Sequence, residues 1–335
     1  MAVNCKVTAL VWHYAQDNTI EITEEGSLKI VRLGIKKSRF KILSWINKHR
    51  VLMTTANDLH ANDAMTLIHN SVAWNMGFAA QSLSKKWNIP WFCTEHSSAF
   101  LAKSWNLKLK LSLWWLKKAK AVMVVSPNLK SLFEAKGLQN VQLIPNFVNP
   151  EINQFKAESS HGDYTFVHIT NWDYKRKGTK EVLDCYEKLR KLHPCKLLLV
   201  ANKVNIQDLG FSAKDLKEMG VEFSDGFVNP IDYYQWISRG QCMINYSRTE
   251  TFGVTVAEAV KIGMHVIFTQ SGGPEHFMQD TWGTKLENRH IERLEEAMIE
   301  AILANKISGI SEVEREEFLS NKSIYEAHLK IYNNG

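Results

Sequence analysis

The chain of 335 residues lacks several features that define large protein classes. It has no apolar run approaching the ~20 residues of a membrane-spanning helix; stretches such as Ala121–Val125 are far too short. No N-terminal segment passes from positive charge into an apolar run, so no secretory leader is read and a cytoplasmic protein is expected. The five cysteines, Cys5, Cys93, Cys185, Cys195 and Cys242, are odd in number, scattered and never spaced as Cys-x-x-Cys. That argues against a disulfide framework or a zinc site and for a reducing compartment. No Gly-x-Gly-x-x-Gly follows a candidate strand, which counts against a dinucleotide oxidoreductase. No Asp-x-Asp pair occurs, so no metal is expected. Internal repeats and low-complexity tracts are absent as well.

What remains is an ordinary globular composition, 45% hydrophobic and 23% charged, sufficient for two cores. The net charge of +6 and pI near 8.9 favour anionic partners: a nucleotide diphosphate, a membrane surface or nucleic acid. Read as spread widely along the chain, this charge gives no nucleic-acid-binding face.

Short β-branched or aliphatic runs alternate with longer amphipathic stretches. Candidate strands are 6–12, 29–33, 66–69, 91–94, 121–125 and 141–144, then 164–169, 196–200, 221–223, 242–246 and 265–268. Helical patterns fall at 74–87, 128–136, 180–192, 232–239 and 254–262. Such alternation predicts parallel sheets covered on both faces. Pro145 and Pro150 bracket a polar seam, and Glu158–Asp163 reads as exposed linker. Two Rossmann-like domains, 1–150 and 151–335, would then face each other across a cleft. The stretch 104–120, with Trp105, Trp114, Trp115 and several lysines, reads either as a helix lying on a membrane surface or as one packing its tryptophans inward.

Four places carry candidate chemistry. Glu250 follows the strand at 242–246 in a loop, and Glu258 lies near the start of the next helix, with Phe252 and Gly253 between. Two carboxylates there suit sugar hydroxyls, since an ionised carboxylate is a pure acceptor; a surface loop and a dipole-stabilised helix glutamate are the plainer account. Gly272 and Gly273, followed by Pro274 at a helix start, would leave backbone amides free toward the cleft as an anion site, or form a simple turn. Lys175, Arg176 and Lys177 follow the strand at 164–169 and could neutralise a diphosphate or merely be solvated. His96 follows the strand at 91–94 and would project at a sheet edge.

The block from Glu250 to Glu258, continuing through Gly263-Met-His-Val-Ile and Gly272-Gly-Pro-Glu275, resembles family 4 of the retaining glycosyltransferases and its Glu-x7-Glu motif. Val125-Ser126, Gly137 and Ile144-Pro-Asn146 are similar to the interdomain signature of that family. Ile68-His69, Gly77, Ile89-Pro90 and Thr94-Glu-His96 are similar to its acceptor-side segment. Tyr325, Ile331 and Tyr332 match its last helix, which in such enzymes crosses back to the first domain. The resemblance implies an α/β GT-B fold and transfer of a sugar from a nucleotide-sugar donor, UDP- or GDP-linked, to a glycan or lipid-linked acceptor in polysaccharide or cell-surface glycan biosynthesis. Neither a cofactor nor a metal is implied.

By the same resemblance, Arg176 and Lys177 would hold the diphosphate, Glu250 the transferred sugar and Glu258 the ribose. Amides near Phe252–Gly253 and Gly272–Gly273 would approach the sugar and phosphates. Gly226–Val228 would line the base pocket, and His96 would reach the sugar from the opposite domain. Two departures stand out. Asn171 replaces the usual arginine, as in the N-acetylglucosaminyl-malate synthase branch, which points to a UDP-linked donor. The sequence also opens at what reads as the second strand, without a glycine-rich loop. A catalytically impaired sugar-nucleotide-binding protein or a fragment is therefore the alternative expectation.

Overall fold

The computed structural model describes residues 5–101, 106–158 and 162–333. Three sheets organise it. The first is formed by β1 (Val7–Ala15), β2 (Thr19–Glu25) and β3 (Leu28–Lys36) in the order β1-β3-β2. The second holds β4 (Ile68–Ser71), β5 (Trp91–Glu95), β6 (Ala121–Val124) and β7 (Val141–Leu143), all parallel. The third has β8 (Tyr164–Asn171), β9 (Cys195–Asn202), β10 (Val221–Ser224), β11 (Cys242–Asn245), β12 (His265–Thr269) and β13 (Gly283–Leu286). Its order, β10-β9-β8-β11-β12-β13, is parallel throughout and is the doubly wound arrangement of a dinucleotide-binding sheet.

In the first half the helices are α1 (Lys41–Asn62), α2 (Ala73–Trp87), α3 (Leu107–Leu116) and α4 (Pro127–Ala135). The loop after β8 holds the single turn α5 (Tyr174–Lys177), then α6 (Thr179–Leu189), α7 (Ala213–Glu218), α8 (Pro230–Ile237) and α9 (Val254–Ile262) follow. The chain ends in α10 (Ile291–Leu303), α11 (Glu312–Glu317) and α12 (Asn321–Asn333). Cap chemistry sets several starts: Ser126 accepts the Leu129 amide ahead of Pro127, and Asn229 accepts the Ile231 amide ahead of Pro230.

The strand–helix alternation holds from β4 onward, but three elements differ from it. β2 is antiparallel to β3, turned by Gly26 at φ 61°, so the first sheet is mixed. β2 is exposed along its whole length and carries Glu21, Glu24 and Glu25, as an edge strand protected by charge does. α1 goes unread because its first turns expose Ile42, Leu43 and Ile46 while Ser44, Lys48 and His49 are buried. Amphipathic periodicity is blurred when apolar residues face outward. β13 is a short strand containing Gly283 and Lys285, which carry little strand signal.

The seam is more firmly packed than its composition suggests. Val148 and Ile152 are fully buried in a cluster that runs from Phe100 and Leu129 to Phe252 and Val260. Burying a side chain the size of Ile152 contributes roughly 1.5–3 kcal/mol. Glu158 is tied to the connection between α8 and β11, its amide donating to the Ser238 carbonyl and its carbonyl accepting from the Gln241 side chain; Ser159, Ser160 and His161 of the expected linker lie outside the described residues. α12 lies against the second sheet, with Ile324 packed on Phe92, Ala121 and Ile144. Ser104 and Trp105, at the start of the stretch read as one tryptophan-rich helix, also lie outside the described residues. Of its other tryptophans, Trp115 turns inward and Trp114 outward.

Candidate active site

The strand order of the six-stranded sheet reverses between β8 and β11. Open α/β sheets hold ligands at such a point. After β8, the side-chain oxygen of Asn171 accepts the Asp173 amide at 3.0 Å, which folds the chain into α5. Gly178, at φ 68°, ends that turn and starts α6. A buried polar chain underlies the loop. His168 donates from Nδ1 to the Ile244 carbonyl at 2.9 Å, its Nε2 lies 3.1 Å from the Thr179 hydroxyl, and that hydroxyl is 2.8 Å from the Thr170 hydroxyl. Burial pushes the His168 pKa down to about 4, so a neutral ring braces β8 against β11.

The β8 and β11 loops meet through charge. Glu250, 8% exposed, accepts at Oε1 from Lys177 Nζ at 2.5 Å and from the Ser247 hydroxyl at 2.7 Å, with Arg176 Nη1 at 3.4 Å. Arg176 also donates to Asp173 at 2.6 Å and to the Thr249 carbonyl, and the Arg248 amide donates to the Arg176 carbonyl at 2.8 Å. Two cations thus balance two carboxylates in a partly buried cluster, where Coulombic attraction is stronger than in water. No hydrogen bond to Oε2 of Glu250 is found among the described residues; Glu250 stands behind Lys177 and does not itself line the cleft that Lys177 borders.

A cleft of about 430 Å³ runs from Lys177 along the sheet edge. Asn171, Lys177, Val228 and Glu258 border it, together with Asn202, Tyr233 and the first residues of α9, Val254 and Thr255. Arg176 lines a separate neighbouring cavity with Tyr174, Lys180 and Arg248, so the two cations read as one clamp face different spaces. Glu258 is held by two phenols, from Tyr233 at 2.9 Å and Tyr234 at 3.3 Å. Burial pushes its pKa up to about 7, against the two tyrosine hydrogen bonds that pull it down.

That shift makes a stability prediction. A carboxyl whose folded pKa stands above its ordinary 4.5 gives stability that is complete below that value and is lost as pH rises through about 7. The melting temperature of the wild type should therefore fall between pH 5 and 8 relative to Glu258→Gln, which has no proton to lose. Parallel melting curves for the two proteins would contradict the assignment.

Phe252, Gly253, Gly272 and Gly273 lie beside the charged cluster rather than along the cleft. A Cβ on Gly273 would meet the Phe252 backbone at 2.7 Å, and one on Gly253, at φ 90°, would meet Pro274 at 2.8 Å. The two loops interlock, so these glycines serve backbone-to-backbone packing. The expected free amides at Gly272–Gly273 need correction for Gly272, whose N–H donates to the Glu275 carboxylate at 2.6 Å. The helix expected after Pro274 is a single 3-10 turn, Pro274–His276, too short to supply a dipole.

His96 comes from the other half. Its carbonyl accepts the Thr251 hydroxyl at 3.0 Å, next to Glu250. Glu95, fully buried, fixes that segment by accepting the amides of Ala73, His96 and Ser97. Asn128 of α4 reaches across as well, donating to the Gly272 carbonyl at 3.1 Å. Sequence reasoning missed Ser247, Asn202, Tyr233 and Tyr234. Asn229-Pro230 does mark the start of the tyrosine-bearing helix, but nothing local says which carboxylate those phenols meet. Among the described residues no group of three or more His, Cys, Asp or Glu is arranged to hold a metal ion.

Residues 11–152 match the family model described as Glycosyltransferase Family 4, and residues 163–304 match the one described as Glycosyl transferases group 1. No curated protein sequence matches the chain. Solved structures with a similar fold include sucrose-phosphate synthase from Thermosynechococcus elongatus, 18% identical with a TM-score of 0.70, covering 99% of this chain and 88% of that one. Another is Anabaena HepE in complex with UDP-glucose, 15% identical with a TM-score of 0.71, covering 90% and 85%. A third is a UDP-forming α,α-trehalose-phosphate synthase from Burkholderia xenovorans, 12% identical with a TM-score of 0.70, covering 98% and 93%.

Proposed function

We propose, from the premise that this chain is a glycosyltransferase of the GT-B fold, that it moves a sugar from a UDP-linked donor to a hydroxyl of a glycan or lipid-linked acceptor with the anomeric configuration retained. The observation that carries this reading is Lys177, which borders the cleft and is ion-paired to Glu250 behind it. One small ligand could there meet a cation for its phosphates and a carboxylate for its hydroxyls. The cleft volume lies in the range usual for small-molecule sites. HepE was solved with UDP-glucose and the trehalose-phosphate synthase is UDP-forming, which supports uridine as the base.

In this reading the base lies against Gly226–Val228, the ribose hydroxyls donate to Glu258, and the diphosphate lies between Lys177 and the first amides of α9. A helix N-terminus favours an anion. Oε2 of Glu250 takes hydroxyls of the transferred sugar, and His96 approaches the reacting carbon from the other half. The C1–O bond to phosphate breaks, the acceptor oxygen bonds to C1 on the same face, and the acceptor proton passes to the leaving phosphate oxygen. Lys177 offsets the charge that develops there. Glu250 is a poor candidate for nucleophile, because three donors already withdraw density from Oε1.

Titration with UDP-, GDP- and ADP-linked sugars tests the reading. A bound donor at a hundred times its Kd should add about 2.7 kcal/mol to stability, and NMR of the product should show the donor's anomeric configuration. No stabilisation by any nucleotide sugar would overturn the proposal. Glu258→Gln should raise the KM for the donor about tenfold with kcat little changed, as removal of uniform ground-state binding does. A fall in kcat at constant KM would remove Glu258 from the ribose.

A further inference from the structure

The positive charge of the chain is not spread evenly, which corrects the sequence-level reading. Residues 26–133 carry 17 Lys and Arg against three acidic residues, Asp58, Asp63 and Glu95, a net +14 within a chain whose total is +6. The rest of the molecule is acidic. Within the basic half, two helices hold apolar side chains in solvent. On α1, Phe40 at its N-cap and Ile42 are each 63% exposed, with Leu43 and Ile46 beside them. On α3, Leu107, Leu111 and Trp114 recur at i, i+4 and i+7 as an outward stripe, Leu107 71% and Trp114 53% exposed. The opposite side of α3 buries Leu109, Ser112, Trp115 and Leu116.

α2 lies between these two helices. Phe78, itself partly exposed, packs on Trp45 of α1 at 5.6 Å and on Trp115 of α3 at 6.3 Å. Exposed cations frame the patch: Lys41 on α1, then Lys108, Lys110, Lys117 and Lys118 on and after α3. None of these makes an ion pair among the described residues, whereas the acidic half pairs many of its lysines. Monomeric proteins seldom leave this many large apolar side chains exposed on neighbouring helices without a partner.

We propose that this face of α1 and α3 docks on an anionic lipid surface, Leu107, Leu111, Trp114, Phe40 and Ile42 entering the interface and the lysines meeting the headgroups. Charge and apolar exposure together select that occupant. A nucleic acid would use the lysines but leave the leucines in water. A bilayer takes both, since interfacial helices bury an apolar face while their cations meet anionic lipids. The position in the fold suits such a role. Helices that connect parallel strands run against them, so the N-termini of α2 and α3 lie at the carboxyl edge of the second sheet, the edge that carries Glu95 and His96. The N-terminal ends of both helices would lie toward the edge from which His96 meets Thr251. The inference itself does not rest on the proposed transfer reaction.

The test is sedimentation of the full chain with phosphatidylcholine vesicles and with mixed phosphatidylcholine–phosphatidylglycerol vesicles. Binding to the anionic vesicles should be at least about tenfold tighter and should weaken with salt. Leu107→Ser/Leu111→Ser/Trp114→Ser and, separately, Lys108→Glu/Lys110→Glu/Lys117→Glu should each weaken it about tenfold, with melting temperature and UDP-sugar binding unchanged. The leucine–tryptophan variant separates lipid from nucleic acid, because it should leave any duplex binding untouched. Absence of vesicle binding, retention of full binding by the leucine–tryptophan variant, or a wild-type dimer that this variant dissociates would each overturn the proposal.

Discussion

Glu250→Gln should lower the turnover number by about 10²–10³-fold, the usual cost of losing one preorganised charged contact to a transition state. The substitution keeps the shape of the side chain but removes its charge and turns one acceptor oxygen into an NH2 donor, so the loss reports the carboxylate. Glu250 Oε1 is the point at which Lys177 Nζ, the Ser247 hydroxyl and Arg176 converge. Without its charge, Lys177 and Arg176 lose their common counter-ion in a place where water screens them poorly. Lys177 would then swing toward the next available carboxylate or toward the donor phosphate. A tighter apparent affinity for UDP together with a collapsed kcat would be the signature of that redistribution. The melting temperature should fall by only a few degrees, since Asp173 still pairs with Arg176 at 2.6 Å. Turnover within about threefold of the wild type would remove Glu250 from the reaction.

Gly178→Ala should be the most damaging small substitution near the site. Gly178 has φ 68°, where an alanine costs roughly 1–2 kcal/mol. Its added Cβ would also stand 2.6 Å from the Tyr246 carbonyl and 2.5 Å from Arg289. Arg289 can yield, being the far end of a long side chain, but the Tyr246 carbonyl belongs to the segment just after β11 and cannot move without shifting the Glu250 loop. Overpacking of that kind adds roughly 1–3 kcal/mol. Together the two effects should lower the melting temperature by roughly 10 °C. Because Gly178 directly follows Lys177, donor affinity should fall in the same variant even at temperatures where it is fully folded. An unchanged melting temperature would mean that the α5–α6 turn is looser than its geometry implies. Gly210→Ala serves as the control, being at φ 82° with nothing within 4 Å of the added atom.

Much of the second half can be read along the chain. β8, β9, β11 and β12 are short β-branched runs with helices between, and such runs are recognisable because both faces of a parallel sheet are buried. Glu250, Glu258, Lys177 and Val228 can be placed near one another because each follows a strand of one parallel sheet, and strands of such a sheet end on one edge. The first 62 residues are less legible. β2 has polar and apolar residues that all face solvent, and α1 turns three of its apolar side chains outward, so neither shows the periodicity that burial imposes. The outward residues of α1 belong to the docking face proposed above, and a pattern that assumes burial misses them.

The sequence by itself determined the alternation of strands and helices, the charge of each segment, and the glycines that allow the turns after β8 and before α9. These are local properties, set by spacing and by backbone freedom. Only the tertiary structure decided the partner of each charged group: that Glu250 meets Lys177 rather than solvent, that Glu258 meets two tyrosines, and that Arg176 and Lys177 face different cavities. A carboxylate's protonation and its availability to a ligand depend on burial and on neighbours distant in sequence. Strand order brings those neighbours together, and no stretch of the chain encodes it locally.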